Sequence, residues 1–153
     1  MDDHDYHHLI VSMVNRWRDH GVSLNVGARE AQLDEFERDC GAGLPAAFRY
    51  LYSLANGMTD DMDEHLFNLW PLRAIKDQEG IEIDSGMTKI SFGDFLIDSH
   101  RYFLILGPGM ERVEADAGVD STNEVIADSF VEFVSLHQNN PGEIHLMPSE
   151  IPK

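Results

Sequence analysis

The spacing of apolar residues changes period twice along the chain, and this constrains the fold more than any other feature. Tyr6, Ile10, Met13, Val14 and Trp17 recur at helical spacing and predict an amphipathic helix over 6–19, with Asp2, Asp3 or Asp5 near its positive end. Beyond Gly21, the residues Ala28, Leu33, Phe36 and Cys40 predict a second helix over about 29–40, stopped by Gly41 and Gly43. Pro45 opens a third helix that buries Phe48, Leu51, Tyr52 and Ala55, and Asn56-Gly57 is expected to end it. The period then shortens. Leu66 to Trp70 reads as a short strand running into Pro71, and residues 71–76 read as one helical turn. From Ile81 the repeat is nearer two: Ile81 and Ile83; Ile90 and Phe92; Tyr102, Leu104 and Leu106 alternating with Phe103 and Ile105. Glu111 to Ala115 fits a hairpin partner beyond Gly107-Pro108-Gly109, and Glu124 to Ala127 adds a short strand. Helical period returns at Ser129-Phe130-Val131-Glu132. These residues spell a capping box in which Ser129 caps the Glu132 amide and Glu132 reaches back to the Ser129 amide. Phe130, Phe133, Val134 and His137 share a face of that last helix, which Asn139-Asn140-Pro141-Gly142 ends.

Helices, then strands, then a helix predict an α+β fold: a single domain with an antiparallel or mixed sheet of about five or six strands and helices packed on it. The expected organisation is an N-terminal helical extension over 1–28, a main domain over 29–142 and an extended tail over 143–153, together one compact unit.

Charge bears on partners. The 153 residues carry 28 Asp and Glu against 11 Lys and Arg, a formal net charge of -17. Residues 1–76 hold 13 acids and 7 bases, and residues 77–153 hold 15 acids and 4 bases, so most of the excess falls in the strand-rich half. Such a surface repels phosphate backbones and anionic membranes and attracts basic proteins. Solubility alone is the competing explanation. No apolar run approaches the roughly 20 residues that span a bilayer, and Met1-Asp2-Asp3-His4-Asp5 has neither the basic nor the apolar region of a signal peptide. Cys40 is the single cysteine and cannot form an internal disulfide. A cytoplasmic protein is expected, monomeric or weakly dimeric, with no nucleic-acid and no membrane partner.

Little in the sequence suggests catalysis. His4 and His8 lie four apart and could share an ion with Asp5, but a solvated helix start accounts for them more simply. Cys40 falls on the apolar register of its helix, as a core residue does. GxSxG, P-loop and GxGxxG signatures are absent. No enzyme activity, cofactor or metal is therefore expected. Asp60, Asp61, Asp63 and Glu64 form the densest acidic cluster, without the alternation or glycine of an EF-hand loop; a partner's lysines and arginines suit it better than Ca²⁺, and an ordinary solvated loop is the alternative. Trp17 belongs on the core face of its helix. Trp70 is either core, the favoured reading, or an exposed aromatic anchor. The candidate partner-binding residues are Asp60, Asp61, Asp63, Glu64, Trp70, Asp94 and Asp98.

Several segments resemble the SUKH superfamily, the Smi/Knr-like domains of fungal cell-wall assembly regulators and many bacterial proteins. Leu33-Asp34-Glu35-Phe36-Glu37 leads to Gly41, and Leu44-Pro45-Ala46-Ala47-Phe48 through Leu54-Ala55-Asn56-Gly57 is similar to the family's LP-to-NG helix. Leu69-Trp70-Pro71-Leu72 resembles its tryptophan turn, and Ile90-Ser91-Phe92-Gly93-Asp94 through Asp98-Ser99 resembles the strand pair that follows. Ile126-Ala127-Asp128-Ser129-Phe130-Val131-Glu132-Phe133-Val134 looks like its terminal helix. The likeness covers about residues 30–138. Phe95-Leu96-Ile97 stands where many members carry a glycine-rich turn. The resemblance implies a bacterial immunity protein that neutralises a cognate, basic, nucleic-acid-targeting toxin by stoichiometric binding, or alternatively a regulatory interaction domain in cell-envelope assembly or signalling.

Overall fold

A computed structural model describes residues 5–59, 62–95, 100–116 and 123–141. The elements run α1 (Asp5–Asp19), β1 (Leu24–Val26), α2 (Glu30–Cys40), α3 (Ala46–Leu54), β2 (Ala55–Met58), β3 (Phe67–Leu69) and α4 (Leu72–Asp77). They continue through β4 (Ile81–Asp84), β5 (Met87–Phe95), β6 (His100–Gly107), β7 (Met110–Asp116), β8 (Glu124–Ala127) and α5 (Phe130–Asn139). The main sheet has six strands in the order β3-β5-β6-β7-β8, with β4 also paired to β5, and β1 with β2 forms a separate ribbon. Every one of these pairs is antiparallel. The architecture is a single-domain α+β fold, as the change of period predicts.

The alternation along β6 sorts its side chains between two faces. Tyr102, Leu104 and Leu106 join the main core, while Phe103 and Ile105 lie outside it on the other face. There the ammonium of Lys89 sits 4.1 Å from the centre of the Phe103 ring, covering it in the manner of a cation–π contact. On the core face, Phe92 packs edge to face on both Phe130 and Phe133 at 5.2–5.4 Å, and Tyr102 lies 5.4 Å from Phe133. α1 is built into the same core: Ile10, Met13, Val14 and Trp17 are buried with residues of α2, α3, α5 and the sheet.

Local signals set most of the helix ends. Gly41 takes the left-handed conformation at φ 66° and its N–H reaches the carbonyls of Glu37 and Arg38, closing α2. At α5 the Ser129 hydroxyl accepts the Glu132 N–H at 3.0 Å as the capping box requires, but the other half is displaced: Glu132 accepts from the Asp128 amide instead of the Ser129 amide. The Phe130 amide is satisfied from the sheet, by Glu111 at 2.7 Å.

Asn56-Gly57 does more than end α3. The chain leaves α3 at Leu54 straight into β2, and the Asn56 side chain accepts the Leu72 N–H at 3.0 Å, capping α4 across a tertiary contact. Gly57 has φ 78°, and a Cβ there would stand 2.3 Å from the Pro71 nitrogen. Both backbone conformation and the approach of Pro71 therefore exclude a side chain. Gly57→Ala should destabilise the protein by about 2–4 kcal/mol, read as a lower urea midpoint with unchanged slope.

Candidate partner-binding site

Two buried carboxylates organise the region in which the candidate residues fall. Among the described residues, Asp63 and Asp94 are the buried ones, at 4% and 9% exposure. A carboxylate removed from water is tolerated only when its oxygens accept hydrogen bonds or meet a cation. Each finds a tryptophan.

Asp63 lies in the loop before β3 and turns inward. Its Oδ2 accepts the indole N–H of Trp17 at 2.8 Å and lies 2.6 Å from Nε2 of His137, while its Oδ1 accepts the backbone N–H groups of His65 at 2.8 Å and Phe67 at 3.0 Å. Burial by itself raises the Asp63 pKa. The hydrogen bond and charge of His137, with the Phe67 amide and the Trp17 indole, outweigh it and hold the group below the ordinary carboxylate range. The same contacts keep Leu66 in the left-handed region at φ 64°, an unfavourable conformation for a bulky residue.

Trp70 and Asp94 meet through a bulge. The β5–β6 register shifts between Ser91 and Gly93, so Phe92 enters the core while Asp94 pairs opposite Arg101. The Phe92 carbonyl accepts the Trp70 N–H at 2.9 Å, which brings the Trp70 indole N–H to Asp94 Oδ2 at 2.8 Å. Tyr52 donates its hydroxyl to the Trp70 carbonyl at 2.7 Å, and the Arg101 guanidinium lies 5.3 Å from the Trp70 ring centre. Beside this pair opens a cavity of about 490 Å³ between the β1–β2 ribbon and α4, lined by Asn25, Thr59, Asn68, Gln78 and Asp94 as well as Trp70.

The seven candidate positions thus separate. Asp60, Asp61 and Asp98 lie outside the described residues. Trp70 is buried, in line with the core reading, and is joined to Asp94. Of the acidic cluster, Glu64 is exposed and pairs with His20 at 2.8 Å, whereas Asp63 faces the interior. The physical reason is Asp63's four donors, two of them 46 and 74 positions away in the chain. A histidine on the apolar register of the last helix was the available clue, since an imidazole placed in a core needs a partner. The β1–β2 ribbon had none, because β1 is three residues long with Val26 fully on the outside.

Other candidates are accounted for. Burial pushes the Cys40 thiol up to about 12, with the charges of Asp39 and Glu37 adding to the effect. A thiol so placed is overwhelmingly protonated at neutral pH and is a poor nucleophile. Of the N-terminal histidines, His4 lies outside the described residues, and His7 packs edge-on against Tyr50 at 4.3 Å. Among the described residues no three His, Cys, Asp or Glu side chains converge as a metal site, and no helix is long and apolar enough to cross a membrane.

A family model described as SMI1 / KNR4 family (SUKH-1) matches residues 27–136, well over half of the chain. No curated protein matches the chain. Trp17 and His137, the two side chains that bind Asp63, both fall outside the matched segment, His137 immediately after it.

Asp63→Asn should cost about 3–5 kcal/mol at pH 7, because it removes one partner of a buried pair. A carboxylate whose folded pKa is depressed contributes stability above its unfolded value near 3.9 and loses it as pH falls through the folded value. The gap between wild type and variant in urea melts should therefore be full at pH 6 and close progressively below about pH 4. Cys40 should react with an aromatic disulfide reagent at least about 100-fold more slowly in the native state than in urea.

Proposed function

Because the chain belongs to the SMI1 / KNR4 family (SUKH-1), we propose that it is a non-catalytic protein-binding module, an immunity protein that neutralises a cognate basic, nucleic-acid-targeting toxin by stoichiometric occlusion. The observation that carries this reading is the disposition of the charge. Of the -17, the described carboxylates other than Asp63 and Asp94 lie at or near the surface. Much of the small basic complement is engaged within the chain. Arg49 is held by Glu30, Asp34 and Glu37 at 2.6–3.3 Å, Lys76 by Asp39 at 2.7 Å, and Arg112 by Glu114 at 2.6 Å. What faces outward is a net negative field, which draws in a basic surface and accelerates encounter. A toxin that acts on nucleic acid carries such a surface where it grips phosphates. An acidic protein seated there blocks the substrate by occupancy, with no turnover, cofactor or metal.

Co-expression with a basic toxin encoded beside this protein should yield a one-to-one complex and restore growth. The association rate should fall at least about tenfold between roughly 50 and 500 mM salt. Replacing Asp60, Asp61 and Glu64 with their amides, and leaving the buried Asp63 intact, should lower the association rate more than it raises the dissociation rate. A pull-down that returns envelope or signalling factors and no toxin would replace this reading with that of a regulatory interaction domain.

A further inference from the structure

A groove between the starts of α3 and α5 has a composition that the proposed function does not use. It measures about 670 Å³ and is walled by Tyr6 of α1, Pro45-Ala46-Ala47 at the start of α3, Glu111 of β7, and Asp128, Val131, Glu132 and Ser135 at and beyond the start of α5. Its floor is apolar: Ala47 is buried, and the Tyr6 ring is held edge-on to Tyr50 at 6.0 Å. Three carboxylates from two elements and the turn between β8 and α5 open onto it, and among the described residues no lysine or arginine lines it. Among the described residues, arginine and lysine pair at Glu30, Asp34, Glu35, Glu37, Asp39, Asp77 and Glu114, none of them in this groove. Glu111 and Glu132 each give one oxygen to an amide at the start of α5, and among the described residues no lysine or arginine pairs with any of the three carboxylates.

The geometry points to this groove as the seat for an arginine-bearing loop of a basic protein partner, the guanidinium meeting Asp128, Glu132 and Glu111 while its stem lies on Ala46, Ala47 and Tyr6. The inference rests on the reading of the chain as a binder of a basic protein and locates where one anchor enters. An arginine stem covers apolar surface while its head stays polar, its plane suits both an aromatic ring and a carboxylate, and charged hydrogen bonds to carboxylates are the stronger kind. Lysine offers the charge without the plane and should bind more weakly. Glu111 and Glu132 each also accept a backbone amide at the start of α5, which fixes the rim before any partner arrives. Preformed acceptors lose less entropy on binding.

The test uses the full chain, ¹⁵N-labelled, and the peptide acetyl-Gly-Arg-Arg-Gly-amide, with lysine and citrulline versions as controls. The expected result is amide shifts concentrated at Tyr6, Ala46, Ala47, Ser129, Val131 and Ser135, weaker with lysine and absent with the uncharged citrulline. Ala46 is exposed, so Ala46→Arg places an internal cation in the groove; it should lower peptide affinity at least roughly tenfold while the thermal melt stays near wild type. Asp128→Asn, which leaves the two amide-accepting glutamates in place, should lower it severalfold. Shifts spread evenly over the acidic surface, or centred on residues 62–66, would overturn the assignment, as would full binding by Ala46→Arg. If a cognate toxin binds Ala46→Arg with unchanged affinity, the groove is wrong and the immunity reading stands. If the peptide response is local and no toxin associates, the groove stands without that reading.

Discussion

A carboxylate cannot enter a protein interior without donors to receive it, and much of this molecule is arranged around one that does. Asp63 gathers an indole from α1, an imidazole from α5 and two amides from its own loop and β3. Those segments have no local reason to meet. Each is short, and the loop carries an unfavourable left-handed leucine that only surrounding contacts can hold. Once the four donors converge, the Phe67 ring is placed among Trp17, Tyr102, Phe133 and His137 at 5.4–6.4 Å, and the helical layer is joined to the sheet. The arrangement trades desolvation for orientation: all the hydrogen bonds found for the Asp63 carboxylate come from donors fixed by other elements or by its own loop.

The second buried carboxylate works on a smaller scale by the same rule. The β5 bulge turns Asp94 to the side of the sheet where Trp70 arrives, and the indole N–H closes the pair. Trp70 thereby fixes the turn into α4, whose first amide is capped by Asn56 from β2. The exterior follows the opposite logic. Its carboxylates remain hydrated, isolated surface pairs contribute little stability, and the unbalanced charge is available for association.

The core was largely legible in the chain. Apolar periodicity located α1, α2, α3, α5 and the strands from β4 to β8 within a few residues, because a face that must be buried leaves its period in the sequence. The family likeness was also legible, since its segments are continuous stretches in a fixed order. Three things were not. Asn56-Gly57 looks the same whether it ends a helix or opens a strand; its close approach to Pro71 decided the matter. The reciprocal half of the Ser129 cap moved to Asp128 because its acceptor had a neighbouring amide within reach. The acidic run at 60–64 looks like one patch in one dimension, yet Asp63 and Glu64 face opposite ways.

The sequence by itself determined the α+β class, the core residues, the net charge and the absence of the common catalytic signatures, all properties of local pattern or composition. Only the tertiary structure decided which carboxylates are solvent-facing and which are structural, that Trp70 is bound to Asp94, and that Glu111, Asp128 and Glu132 share a groove with Tyr6. Such facts depend on donors brought from distant positions, as with Trp17 and His137 around Asp63. Hydrogen-bond satisfaction is a property of three-dimensional neighbours, and no spacing along the chain encodes it.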